Sequence, residues 1–278
     1  MAAALLGAQL WADAVPEAVR HQFWAQADRI KLFTVASDMD TVPWELLYPI
    51  DGNNDNGFLV EQFPVVRRVY GQSRVRELPM ASAAYIVPPG SPDNAMDEVE
   101  AVRSRLGVGI RDQGVIERLD SIIVLLDDSP SLLHFACHNR FTDQRGSEIT
   151  LEGGPLRPSD LAIAVQTHGL ATACPLVFFN ACRTAGEIPG LIQLMGWAKQ
   201  FMGAGAEAFL GSLWAVRSSS ARAFADAFYH ALVTERVSLG AASLQARLAI
   251  AGDDGDPTWL AYTVYGNPSA TIGHVTRT

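Results

Sequence analysis

SLLHFACHNRF at Ser131–Phe141 and PLVFFNACRTAG at Pro175–Gly186 are short apolar runs, of the kind that form strands buried on both faces. Each run ends abruptly in a reactive side chain, His138 in the first and Cys182 in the second, and then turns polar. The residues between them, Thr142 to Cys174, carry turn signals and one helix-like piece, Ser159 to Val165. Such a connection suits a right-handed crossover between parallel neighbours, which would bring the two C-terminal ends to one rim of a sheet. In open α/β sheets that rim is where sites are built, and a thiol beside an imidazole is the minimum equipment for covalent acyl transfer.

Upstream of this pair, Ala83–Val87 reads as another core strand stopped by Pro88-Pro89-Gly90, followed by an amphipathic helix from Asp97 to Leu106 on Val99, Val102 and Leu106. Val115 to Asp120 reads as a short helix, and Asp127 to Pro130 as a loop before the His-bearing strand. Nearer the start, Ala2 to Ala27 reads as helical with a break at Val15-Pro16, Ile30–Ala36 as a strand and Pro43-Trp44 as a helix start. Beyond the strong turn at Asp51–Gly57, Phe58-Leu59-Val60 and Pro64-Val65-Val66 read as short strands. Downstream, Glu148–Leu156 reads as a hairpin turning at Gly153-Gly154, Leu191 to Met202 as a helix and Ala208–Trp214 as a strand. Ser219 reads as the N-cap of a helix running to Val233 with a core face of Phe224, Phe228 and Leu232, and Leu239 to Ala251 as a further helix. Alternating β and α elements predict an α/β fold, a mostly parallel sheet with helices on both faces.

At 278 residues, 49% hydrophobic and 18% charged, the chain has the means to bury a proper core, which excludes disorder as a global description. A net charge of −9, with no basic cluster longer than Arg67-Arg68, argues against direct nucleic-acid binding. Three cysteines, Cys137, Cys174 and Cys182, cannot all pair, and two stand in the candidate site, so a reduced, cytoplasmic compartment is expected rather than a disulfide scaffold. Met1–Gly7 has no basic n-region, and no apolar run approaches the roughly 20 residues of a transmembrane helix, so neither a signal peptide nor a membrane partner is expected.

Taken together, His134-Phe-Ala-Cys-His138, Asn180-Ala-Cys182 and Val42-Pro-Trp-Glu-Leu-Leu47 resemble the CHAT domain of the caspase-like cysteine peptidases. Gly205–Trp214, Ala227–Leu232 and Val264–Pro268 fit the same pattern in the same order, so the resemblance runs from about Asp38 to about Ile272. It implies a single CHAT domain over residues 1–278 with a helical lead-in at about 1–28, and a caspase-like fold. It further implies a cysteine endopeptidase acting on a protein substrate through a His138/Cys182 dyad, with no cofactor and no metal. The resemblance also suggests an effector of a bacterial defence or cell-death pathway, switched on by an activating protein partner or an upstream sensor. An oxyanion hole would come from backbone N–H groups at Asn139 and Cys182. The family usually has Gly where Asn139 stands; Asn tolerates unusual backbone angles better than most residues.

Along a strand, residues i and i+4 share a face, so His134 and His138 point one way and Phe135 and Cys137 the other. His138 stands last, where pairing ends and a side chain can reach solvent, and it matches the second histidine of the family motif. His134 lies deeper and reads as a packed histidine whose ring N–H finds a carbonyl. Against the nucleophile reading, Cys182 could be a buried small hydrophobe. A zinc site from His134, Cys137 and His138 lacks its remaining ligands, and Asp253, Asp254 and Asp256 read as a solvated helix-end loop rather than a calcium site. Trp44 and Glu45 read as packing and anchoring residues. The rival reading is a non-catalytic interaction module that kept the fold; an α/β hydrolase is disfavoured because no Gly-x-Cys-x-Gly elbow surrounds Cys182. In the resembled family the segment after the Trp strand often reads Trp-Pro-Val-Asp-Asp, whose acids favour a basic P1 side chain. Here it reads Trp214-Ala-Val-Arg-Ser218. Trp214, Arg217 and Ser218 are therefore the expected pocket residues, and cleavage is expected not to require Arg or Lys at P1. An uncharged residue is preferred, or an acidic one if Arg217 points inward.

Overall fold

The runs beginning at Leu132 and Leu176 become two central strands of a ten-stranded sheet. The computed structural model describes residues 2–36, 42–52, 54–69, 75–107, 109–128, 130–142, 146–161, 175–183, 190–252 and 255–273, with backbone alone at 2, 123, 141–142, 181–183 and 190–195. The strands are β1 (Phe33–Ala36), β2 (Val65–Arg68), β3 (Ser82–Ile86), β4 (Arg111–Ile116), β5 (Leu132–Thr142), β6 (Gly146–Leu151), β7 (Gly154–Leu156), β8 (Leu176–Arg183), β9 (Ala208–Ser212) and β10 (Tyr262–Gly266). Their order across the sheet is β1-β2-β10-β9-β8-β5-β3-β4, with β6 and β7 carried as a hairpin arm on the far end of β5. Along that path every neighbouring pair is parallel except β9 with β10.

The helices are α1 (Ala2–Ala14), α2 (Glu17–Gln26), α3 (Leu59–Gln62), α4 (Ala95–Leu106), α5 (Leu119–Asp127), α6 (Gly190–Gly203), α7 (Ser218–Tyr229), α8 (Leu239–Ile250) and α9 (Thr258–Ala261). Strand alternation sorts the core into two layers. Leu132, Ala136, Leu176 and Phe178 pack with Val99 and Val102 of α4, Phe224 and Phe228 of α7 and Ala242 of α8. Leu133, Phe135, Cys137, Val177 and Phe179 pack on the other side with Ile122 and Leu125 of α5 and Trp197 and Phe201 of α6. Each large apolar side chain buried this way contributes about 1.5–3 kcal/mol. Helices thus cover both faces, as the pattern predicts.

A third cluster, with Trp11 of α1 and Phe23 of α2, packs beside β1 and around Leu47 and Phe58. The Pro-Trp-Glu-Leu-Leu piece forms a single 3₁₀ turn, Trp44–Leu46, rather than a helix. α1 lies so close to it that a Cβ at Gly7 would run into the Leu46 carbonyl. Glu45 is fully buried and accepts a two-pronged ion pair from Arg67 of β2, with Nε to Oε1 at 2.9 Å. Burial raises the Glu45 carboxyl, but the Arg67 guanidinium outweighs it and holds the group below its ordinary value of 4.5. Its anchoring role is a cross-link between the turn and the sheet.

Three further elements differ from the sequence reading. Arg111–Ile116 is an edge strand, and the helix expected over Val115 to Asp120 begins only at Leu119. Phe58-Leu59-Val60 opens a short helix, because Glu61 Oε2 accepts from Phe58 N at 2.6 Å and closes the turn. The last is α7, which starts at Ser218 with Arg217 as N-cap and passes into a π turn over His230–Thr234. Of the helix-like piece after Ser159, residues 162–165 lie outside the described residues.

Candidate active site

β5 and β8 pair in parallel register: His134 stands opposite Phe178, Ala136 opposite Asn180 and His138 opposite Cys182. Two positions marked by sequence alone are thus cross-strand neighbours, one step before the ladder closes at Asn139 and Arg183. Adjacent strands lie about 4.8 Å apart. His138 is partly buried, and its Nδ1 is shielded from solvent without a hydrogen-bond partner among the described residues. Cys137, by contrast, is fully buried in the opposite layer.

Asn139 has an extended backbone, so the departure from glycine serves no left-handed conformation here. Its side chain has a different task. Oδ1 accepts from Ser147 Oγ at 2.7 Å and from Trp197 Nε1 at 3.3 Å, and the same indole reaches Ser147 Oγ at 2.9 Å. The rim strand is thereby tied to the hairpin arm and to α6.

Below the rim, on the α4 and α7 side, lies a chain of buried polar groups that sequence reasoning missed. Tyr262 OH donates to Asn180 Oδ1 (2.9 Å), and Asn180 Nδ2 donates to Glu98 Oε1 (2.7 Å). The same Glu98 oxygen meets His134 Nε2 at 2.9 Å, and His134 Nδ1 meets Tyr229 OH at 3.0 Å. Burial, helped by Tyr85 and Glu98, pushes the Tyr229 hydroxyl well above its ordinary value of 10, so it keeps its proton. We therefore assign the hydroxyl as donor to Nδ1, which leaves Nε2–H to donate to Glu98. His134 is packed, as expected, but its partners are a carboxylate and a phenol instead of a carbonyl. One signal for Glu98 was present: it interrupts the apolar stripe of α4 between Ala95 and Val102.

A small void of about 10 Å³ opens above this chain, lined by Ala95, Glu98, Ala136, Asn180, Ser218 and Ala221 among others. Of the expected pocket residues, Ser218 is here. Trp214 instead packs against three hydrophobic clusters, and the exposed Arg217 has its Nε 3.9 Å from Asp256 Oδ2. Asp256 also accepts from Ser220 Oγ (2.6 Å) and Thr258 Oγ1 (2.7 Å), which pins the start of α7 to the start of α9. Asp253 and Asp254 lie outside the described residues. Two larger concavities, an open one of about 900 Å³ against β4 and α5 and an apolar one of about 310 Å³ between α1, α2 and β1, are lined by neither His nor Cys.

The sheet order and the paired strand ends define a caspase-like fold, and comparison with solved structures agrees. Gingipain R, an Arg-specific cysteine proteinase, superposes with a TM-score of 0.65 at 14% identity, over 95% of this chain and 70% of that one. The separase of a Saccharomyces cerevisiae separase–securin complex superposes with a TM-score of 0.56 at 15% identity, over 88% of this chain and 16% of that one. Residues 4–267 match the CHAT domain model, and the chain belongs to the CHAT-domain family. A probable protease of Vitiosangium sp. (strain GDMCC 1.1324) is 28% identical over 200 residues; the match covers 69% of this chain and 25% of that protein. This chain therefore spans about a quarter of the curated relative it matches. Among the described residues no helix is long and apolar enough to cross a membrane.

Proposed function

We propose that the chain is a cysteine endopeptidase that cleaves a protein substrate with Cys182 as nucleophile and His138 as general acid and base. The observation that carries this reading is the cross-strand pairing of His138 with Cys182 at the closing end of two parallel strands. In acylation, His138 takes the thiol proton while the Cys182 sulfur bonds to the scissile carbonyl carbon. Backbone N–H groups at Asn139 and Cys182 hold the oxyanion. The C–N bond then breaks as His138 passes the proton to the leaving amine. Water, losing a proton to His138, attacks the thioester carbon; the C–S bond breaks and the thiol is restored, with no net redox change. We further propose that the enzyme acts in the cytoplasm, as its three cysteines suggest, and that it is an effector of bacterial defence or cell death switched on by a protein partner, as the family resemblance suggests.

Digestion of a peptide library by the purified chain tests the chemistry. Cys182→Ala and His138→Ala are expected to reduce cleavage by at least about 10²-fold each with the fold intact. Cleavage that persists in Cys182→Ala, or that disappears in Cys137→Ala with the fold intact, contradicts the assignment of the nucleophile. Loss of all cleavage by a folded wild-type chain, even with its activator, assigns it to the non-catalytic interaction modules instead.

A further inference from the structure

We infer that the void between α4, α7 and the β5–β8 ladder receives the P1 side chain, and that this chain cleaves after small uncharged residues: glycine, alanine or serine. The inference rests on the endopeptidase reading above and names the substrate class of that site.

Position comes first. Ala136 and Asn180 are the ladder pair two places before His138 and Cys182, and both line the void. A substrate held by its carbonyl carbon at position 182 carries its P1 Cβ two bonds from that carbon, and the Ala136–Asn180 pair is the next one back on the same face of the ladder, about 6.6 Å along the strands.

Size then decides between residue classes. About 10 Å³ is room for one water-sized group, enough for a methyl or a hydroxymethyl and too little for leucine or arginine. Ala95, Ala136 and Ala221 have nothing to move, and the longer Glu98 and Asn180 are held by hydrogen bonds to each other, to His134 and to Tyr262, so neither swings aside to deepen the pocket. The elements themselves stand close, because Asn94 Nδ2, at the start of α4, donates to the Ser218 carbonyl at the start of α7 at 2.8 Å.

Charge excludes a further class. The Glu98 carboxylate lines the void and repels an acidic P1 residue, while Arg217 lies beside Asp256 with its side chain 67% exposed. A basic P1 residue would find Glu98 already accepting from His134 and Asn180, and no space to reach it.

The test is the rate at which Cys182 in the full wild-type chain is labelled by peptidyl acyloxymethyl ketones differing only at P1, followed by mass spectrometry. Alanine and serine probes are expected to label at least tenfold faster than leucine, arginine or aspartate probes. Ala136→Gly is expected to admit a valine probe, narrowing the alanine-to-valine ratio by at least tenfold. Equal or faster labelling by arginine, leucine or aspartate probes overturns the pocket assignment and leaves the endopeptidase reading intact. No labelling of Cys182 by any probe, with Cys182 alkylated no faster than Cys137 by iodoacetamide, overturns both.

Discussion

His134 and His138 stand on one strand four residues apart, and their surroundings give them opposite tasks. His138 closes an apolar run at a rim, and that ending is legible in sequence, as is the ending at Cys182. His134 shares the strand and the residue type, so its burial follows from depth, but its partner does not: Glu98 is 36 positions away on another element. Only the fold brings it there, although a carboxylate inside an apolar stripe is a visible anomaly. With His134 absent, Glu98 would be left buried with a single donor among the described residues, Asn180. His134→Leu is therefore expected to cost about 3 kcal/mol of stability, read as a lower denaturation midpoint, whereas His138→Ala leaves the midpoint within about 0.5 kcal/mol of wild type. Equal stability losses for the two variants would mean that they do not divide the work in this way. Asn139 is a second lesson at this scale. A residue weighed for its backbone tolerance turns out to act through its side chain, on an indole 58 positions away.

At the scale of elements, the apolar central strands and the amphipathic helices α4, α7 and α8 are legible because burial on one face or two writes a period into the sequence. The misreadings fall where that period is absent. β4, Arg-Asp-Gln-Gly-Val-Ile, is an edge strand with charged residues at its start, a composition that protects an edge and hides a strand. α3 is four residues long, too short for a helical period, and is set by one side-chain cap. The Glu45–Arg67 pair joins the 3₁₀ turn to β2 in the same long-range fashion. Arg67→Met leaves a buried carboxylate unpaired and is expected to destabilise the chain by about 3–5 kcal/mol. Because the folded Glu45 pKa is lowered, the stabilisation from its ionised form is complete above its ordinary value of 4.5 and is lost as pH falls through the lower folded value. Denaturant titrations from pH 7 down to pH 3 should therefore show wild type losing stability over that range and Arg67→Met losing less. Parallel curves for the two proteins would contradict this account of the pair.

On the scale of the whole molecule, one sheet carries the paired residues at its rim, a small pocket beside them and a polar chain beneath. Two parallel apolar strands were enough to place that rim from sequence; of the pocket lining only Ser218 was legible, since the rest comes from separate elements and its alanines carry no signal of their own. The start of α7 borders the pocket and is held by a few hydrogen bonds, to Asn94 and to Asp256, so local order there is inexpensive to change. Under the proposed switch, the purified chain alone is expected to turn over peptides at least tenfold more slowly than the chain with an activating partner; equal rates would remove the case for a switch. The dyad itself is tested without turnover, by the second-order rate of iodoacetamide alkylation at each cysteine at pH 7, in wild type and in His138→Ala. If His138 activates the thiol, Cys182 reacts at least tenfold faster than Cys137 and Cys174 in wild type, and its advantage falls by a similar factor in His138→Ala. Slow labelling of all three cysteines at similar rates, or a fast Cys182 indifferent to the loss of His138, would contradict the dyad.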